Sequence, residues 1–226
     1  MNWKDTGYLL SKNQYNENSA IVEIFTKKHG KISGIIFGAS SKKVKNYLQV
    51  GNKLHLNFSS KNDSRLGYIK VEIDKVLTPF YFDNNEKLAC IVSAMNLVKL
   101  LTVESQENIN IYILINNFFL LLKKIDWLKD FVFWELQLLK LIGYDLELKN
   151  IVDVEIVNGQ KQFFVQRNNE KKFIPNFLIE TGSNKIDNKS IINGLKLVGD
   201  YLDKSIFKPN NISFPVSRID FVKMMK

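Results

Sequence analysis

Between Glu23 and Asp63 the sequence contains no carboxylate, although Lys27, Lys28, Lys31, Lys42, Lys43, Lys45, Lys53 and Lys61 all fall in that interval. A basic window with no acid of its own calls for an external anion. Cysteine is nearly absent: Cys90 stands alone, which excludes an intrachain disulfide and a thiolate zinc site, since each needs more than one sulfur. A reducing cytoplasm is the expected setting. No apolar run reaches the roughly 20 residues that span a bilayer. The longest, Ile111–Leu122, is broken by Asn116 and Asn117 and reads as a buried helix. The opening Met1-Asn2-Trp3-Lys4-Asp5 lacks the apolar core of a secretion signal.

Catalytic patterns are missing as well. There is no Walker loop, GxGxxG or GxSxG. His29 and His55 have no second histidine, cysteine or paired carboxylate at ligand spacing and read as surface histidines. Glu104-Ser105-Gln106-Glu107 reads as a solvated or capping segment, and Cys90, among Leu88, Ala89, Ile91 and Val92, as a buried thiol rather than a nucleophile. An enzyme is therefore disfavoured, and no cofactor is expected.

What is present is apolar material and localised positive charge. A chain of 226 residues, 45% hydrophobic, can bury one large core or two ordinary ones without staples. Residues 1–80 hold 13 Lys/Arg against 6 Asp/Glu, whereas residues 81–226 hold 19 against 17, so the first 80 residues carry most of the +9. An excess confined to one module argues for a polyanionic partner, nucleic acid or an anionic membrane. The membrane reading lacks a basic amphipathic helix to lie in the interface.

Periodicity divides the chain near Thr78-Pro79. Upstream, Leu54, Leu56 and Phe58 alternate with His55 and Asn57, and Ile69, Val71 and Ile73 with Lys70 and Glu72, the period of half-buried strands. Tyr8–Leu10, Ala20–Thr26 and Ile32–Phe37 add three strands, separated by the polar Ser11–Asn18 and by His29-Gly30. Five strands in so short a stretch predict an OB-fold barrel over residues 1–79, with Gly38–Asn46 a basic loop between strands. Downstream the period is helical: a helix opens after the N-cap candidates Asp83, Asn84 and Asn85, and others are expected at Ile109–Lys124, Asp126–Ile142, Asn188–Leu202 and Ser217–Lys226. Phe131, Trp134, Leu138 and Leu141 share one face, expected as core. A β-hairpin turning at Asn158-Gly159 is expected within about 150–182. The fold class is thus α+β: a five-stranded barrel, then a mainly helical domain over 80–226 with a small hairpin insert.

These patterns offer a binding face rather than a catalytic one. Lys42, Lys43 and Lys45 are the expected main phosphate contacts, Lys31 and Lys53 flank them, and Lys61, Arg65 and Lys70 add weaker ones. Tyr47 and Tyr68 are candidates to stack on unpaired bases, with half-buried strand residues as the alternative. Base-specific readout is not expected. In the helical part, Lys196, Lys204, Lys208 and Arg218 are possible rim charges around an apolar groove for an acidic peptide tail.

Several segments resemble the bacterial recombination-repair mediator family RecO. They are Thr6-Gly7-Tyr8-Leu9-Leu10, Glu17–Val22 with Phe25-Thr26 and His29-Gly30, the loop Phe37–Lys43, the helix Phe133–Tyr144 ending in Ile-Gly-Tyr, and Pro215-Val216-Ser217-Arg218. The resemblance implies an N-terminal OB-fold, a helical domain with a small insert, and no catalytic centre. It also implies binding of single- and double-stranded DNA, strand annealing, and contacts with RecR and with the acidic C-terminal tail of single-stranded DNA-binding protein. RecA loading would follow indirectly, and the location would be cytoplasmic and nucleoid-associated. Two departures matter: many members carry a zinc-binding cysteine cluster where this chain has Ile151 and no cysteine, so zinc is not expected. Ser41 and three lysines replace an arginine-richer loop, so phosphate contacts should be point charges rather than bidentate pairs. The expected function is a DNA-repair and recombination mediator, with an RNA- or ribosome-associated OB protein as the alternative.

Overall fold

Leu54, Leu56 and Phe58 point into a barrel, and His55 and Asn57 point out of it, in the computed structural model of the chain. The structure describes residues 1–60, 66–157, 159–167, 170–180 and 186–226. Lys61 and Arg65, both expected to contact DNA, and Asn158 of the expected turn lie outside the described residues. The chain divides into two compact units, Met1–Leu120 with Pro215–Phe221, and Leu121–Phe214 with Val222–Lys226.

The first unit contains a closed barrel of β1 (Asn2–Asn16), β2 (Ser19–Thr26), β3 (Gly30–Phe37), β4 (Lys53–Ser59) and β5 (Leu66–Lys75), in the order β1-β2-β3-β5-β4. Antiparallel pairing of β1 with β4 closes it, from Asn2 opposite Ser59 to Tyr8 opposite Lys53. The other closure, β3 with β5, is parallel and short, pairing Ser33, Gly34 and Ile35 with Leu66, Gly67 and Tyr68. Leu9, Val22, Ile24, Ile36, Leu54 and Leu56 fill the interior. The polar Ser11–Asn18, expected to separate strands, instead extends the β1–β2 hairpin as far as Asn16 opposite Ser19. From Lys12 to Asn16 every residue is exposed, so both faces meet water and no alternation is imposed on the sequence.

The expected loop Gly38–Asn46 also contains regular structure. Residues Lys42–Tyr47 form a helix, α1, whose N-cap Ser41 accepts a hydrogen bond from the Val44 N–H. Six residues are too few for a periodicity signal; Val44 and Tyr47 supply its barrel contacts.

α2 (Asn85–Leu101), capped by Asn84 through the Lys87 N–H at 2.9 Å, and α3 (Ile109–Leu121) complete most of this unit. They are tied to the barrel by side chains. The Tyr8 hydroxyl donates to Asn116 Oδ1 at 2.9 Å, and Thr6 Oγ1 lies 2.9 Å from the Tyr112 hydroxyl.

The second unit is built on α4 (Trp127–Leu141), with Phe131, Trp134 and Leu138 buried as the spacing predicts. Gly143, at φ +88°, ends it with Tyr144 N–H donating to Leu139 O. After the short helix α5 (Leu148–Ile151) come β6 (Asp153–Val157), β7 (Gln160–Arg167) and β8 (Glu170–Ile174), a three-stranded antiparallel sheet where a two-stranded hairpin was expected. α6 (Asn188–Leu202) presents Gly194 where a Cβ would meet Phe177 and Val132, which lets it pack closely on α4. The last helix, α7, runs from Val216 to Met224, and its residues up to Phe221 belong to the first unit. No helix among the described residues is long and apolar enough to cross a membrane.

Candidate nucleic-acid interface

Lys42, Lys43 and Lys45 are all exposed on α1, and none takes part in the ion pairs found among the described residues. α1 itself contains no acid, and although Glu17 shares a cavity with Lys45 it forms no ion pair there among the described residues, so these amines remain available for a solution anion.

On the Val44 side of α1 lies a cleft of about 700 Å³, lined by Trp3, Lys4, Phe37, Tyr68 and Lys70 among others, with no carboxylate in its lining among the described residues. It opens where the short β3–β5 pairing stops at Ile35 and Tyr68, so that β3 and β5 diverge beyond it. Phe37 and Tyr68 are 62% and 46% exposed, and their rings stack with centroids 5.3 Å apart. Lys70, next but one to Tyr68, is exposed with it as the strand parity predicts. A smaller cavity of about 240 Å³, on the Lys45 side, is lined by Lys12, Gln14, Asn16, Glu17 and Ser40 among others.

Other expected residues stand elsewhere. Lys31 is buried, with its amine donating to the Lys99 carbonyl at 2.7 Å, so it does not present charge to a ligand. Burial pushes its pKa down; nearby Glu23 and Glu104 oppose this and Lys99 adds to it. The outward parity of Lys31 is real, but the end of α2 covers it. Lys53 is also engaged, 3.0 Å from Asp74 and with its amine 5.9 Å from the centre of the Tyr112 ring. Burial lowers its pKa, but the Asp74 and Tyr112 interactions together outweigh that and leave it raised. Tyr47 is half-buried against the barrel core, the structural alternative to a stacking platform.

His29 is not a plain surface histidine. Its ring lies flat on Trp3 with centroids 3.7 Å apart, and Nδ1 is 3.0 Å from Asp5 Oδ2. That carboxylate also accepts from the Thr6 and Lys28 N–H groups, both at 2.8 Å, and so fixes the β2–β3 turn. Trp3 in turn stacks on Phe58 at 4.7 Å.

In the second unit, a groove of about 340 Å³ is lined by Leu148, Ile151, Ile174, Leu197, Tyr201 and Lys204 among others. Lys204 and Lys196 are exposed; Lys208 pairs with Asp203 at 2.7 Å. Lys172, also in the lining, pairs with Asp200. Arg218, expected as a rim charge, is 3% exposed and belongs to the first unit, so it does not rim this groove.

Phe37 and Trp3 carry no signal in composition or charge that marks them for a site, and Lys4 none beyond its share of the N-terminal positive charge. The alternation that points Ile32 and Ile36 into the barrel was the available signal for Phe37, since it sends odd-numbered positions of β3 outward.

Two family models match the chain: Recombination protein O N terminal over residues 1–75, and Recombination protein O C terminal over residues 83–211. Similar proteins include one from Rickettsia canadensis, 34% identical over 148 residues, a stretch covering 66% of this chain and 61% of that protein. In that match, and in a similar one to a Rickettsia felis protein, the chain spans less than two thirds of its relative's length. A Wolbachia pipientis protein is 28% identical over 239 aligned residues, covering 96% of this chain and 97% of its own. All three are named DNA repair protein RecO. Because the two matches follow one another over the barrel and over the helical and sheet segments, the chain belongs to the RecO family.

Proposed function

We propose that the protein acts in DNA repair and recombination by holding DNA on the barrel around α1. The observation that carries this reading is the exposed trio Lys42, Lys43 and Lys45, in no ion pair found among the described residues, beside a cleft whose described lining adds Lys4 and Lys70 and no carboxylate. The names of the relatives support the repair role. Both single- and double-stranded DNA are accepted, because phosphate contacts by lysine do not depend on sequence. Annealing follows from the same chemistry: two strands repel through their phosphates, and a lysine surface that screens both lowers the barrier without bond chemistry. The protein is a mediator rather than an enzyme in this reading. RecR and, through it, RecA loading are the partners that family membership suggests.

An acidic peptide tail, such as that of single-stranded DNA-binding protein, is assigned to the groove of the second unit. Its support is the apolar lining from Leu148, Ile151, Ile174 and Leu197 next to the exposed Lys204.

The deciding measurement is strand annealing, together with binding to single-stranded DNA, duplex DNA and RNA across a salt series. A Lys42→Ala/Lys43→Ala/Lys45→Ala variant that still folds should lose most of its annealing rate. Unchanged annealing at moderate salt sinks the assignment, and a marked preference for RNA replaces it with an RNA-binding role.

A further inference from the structure

The cleft beside α1 carries more exposed aromatic surface than backbone binding by lysine uses. Phe37 and Tyr68 stand side by side in solvent with 25° between their ring planes, while their strand neighbours Ile36 and Ile69 fill the barrel core. The rings are therefore surplus to the packing of the barrel. They straddle the point where β3 and β5 part, since the last parallel pair is Ile35 with Tyr68 and Phe37 lies two residues beyond it. Trp3 adds a third ring to the lining, and its stacking on both Phe58 and His29 fixes its orientation before any ligand arrives. Lys4 and Lys70 are exposed at the same cleft, and among the described residues its lining holds no carboxylate, which makes it complementary to an anion carrying a flat apolar group.

We propose that this cleft receives one unstacked base of single-stranded DNA against the Phe37–Tyr68 plate, with Lys4 and Lys70 on the flanking phosphates; this rests on the DNA-binding reading above. A base within a duplex has both faces covered by its neighbours and its edge paired, so it has no π-face to offer. An unpaired base has one. The basic α1 then serves any phosphate backbone, whereas the cleft distinguishes single strands from duplex. The cavity, at about 700 Å³, is within the range of small-ligand pockets and has room for a nucleobase.

The test measures affinity for an oligothymidine and for a hairpin duplex under the same salt, using the full chain. Phe37→Ala/Tyr68→Ala removes the plate; Phe37→Tyr/Tyr68→Phe keeps it. Both side chains are exposed, so both variants should fold like the parent, which a thermal melt checks. The alanine pair is expected to weaken single-strand binding by about tenfold or more, to leave duplex binding within about twofold, and to be matched by no loss in the conservative pair. An unchanged single-strand affinity, or an equal loss on both DNAs, overturns the base site and leaves the DNA-binding reading standing. A parent protein that binds neither DNA removes that reading and the base site together. Photo-crosslinking with 5-iodouracil in the single strand gives a second readout: adducts on Trp3, Phe37 or Tyr68 support the site, and adducts confined to other residues overturn it.

Discussion

Gly34 faces Gly67 directly across the parallel closure of the barrel. A Cβ at Gly67 would come within 2.2 Å of the Phe58 ring, and one at Gly34 within 2.5 Å of the Ile69 side chain. The two glycines leave the space that Phe58 and Ile69 occupy at the shortest seam of the sheet, next to the cleft. Backbone approach and ring packing are thus one feature.

Gly67→Ala should accordingly destabilise the protein by about 1–3 kcal/mol, since the ring must move out of a packed core. Phe58→Leu in the same chain should recover part of that loss by vacating the space, a coupling that a double-mutant cycle of chemical denaturation measures. Independent, additive losses would show that the ring and the glycine do not compete for the same volume.

Lys31 predicts a pH dependence. Burial holds its pKa below the ordinary 10.5, so the folded chain gives up this proton at lower pH than the unfolded chain does. Between the two values the unfolded state binds more protons, and the contribution of Lys31 to stability rises with pH. Below the folded value both states are charged, and the cost of burying the ammonium is fully present. Relative to Lys31→Met, the parent should therefore gain stability as pH is raised from neutral towards the ordinary lysine value of 10.5, with the gain falling in the upper part of that range, just below 10.5. Denaturant midpoints of the two proteins across that range provide the measurement; a constant difference would mean that the lysine titrates alike in both states.

The α1 lysines behave differently because they are exposed. Replacing Lys42, Lys43 and Lys45 with alanine should change folding stability by no more than about 0.5 kcal/mol. The same replacement should flatten the dependence of log K on log salt for single strands by about 2, at roughly 0.7 for each phosphate no longer neutralised. A variant with the parent's salt slope would place those phosphates elsewhere.

Much of this architecture was legible in residue alternation. Leu54, Leu56 and Phe58 marked β4, the repeated apolar spacing marked α2, α4 and α6, and Gly143 marked the end of α4. α1 was not legible, because six residues fall below the length at which helical period emerges. Nor were the buried states of Lys31 and Arg218: residue type says that a lysine or arginine is solvated, and only tertiary packing decides otherwise. The Trp3–His29–Asp5 contact joins residues far apart in the chain and leaves no local pattern at all. At the candidate site, charge was readable from composition, whereas the exposed Phe37 required the strand parity to be followed to its last residue.

The groove of the second unit makes the last prediction. Ile151 is 47% exposed in its lining, and Lys204 supplies positive charge that is free of the ion pairs found among the described residues. An acidic peptide seated there would place apolar side chains against Ile151 and Leu197 and a carboxylate near Lys204. Ile151→Asp inserts a like charge into the apolar floor and should raise the Kd for such a peptide by at least about tenfold, while Lys204→Ala should produce a smaller, salt-sensitive loss. Because Ile151 is half out of the core, the aspartate variant should keep its fold, which a thermal melt can check. Fluorescence titration with a labelled acidic C-terminal peptide measures both effects, and a peptide that binds the parent and both variants equally does not use this groove.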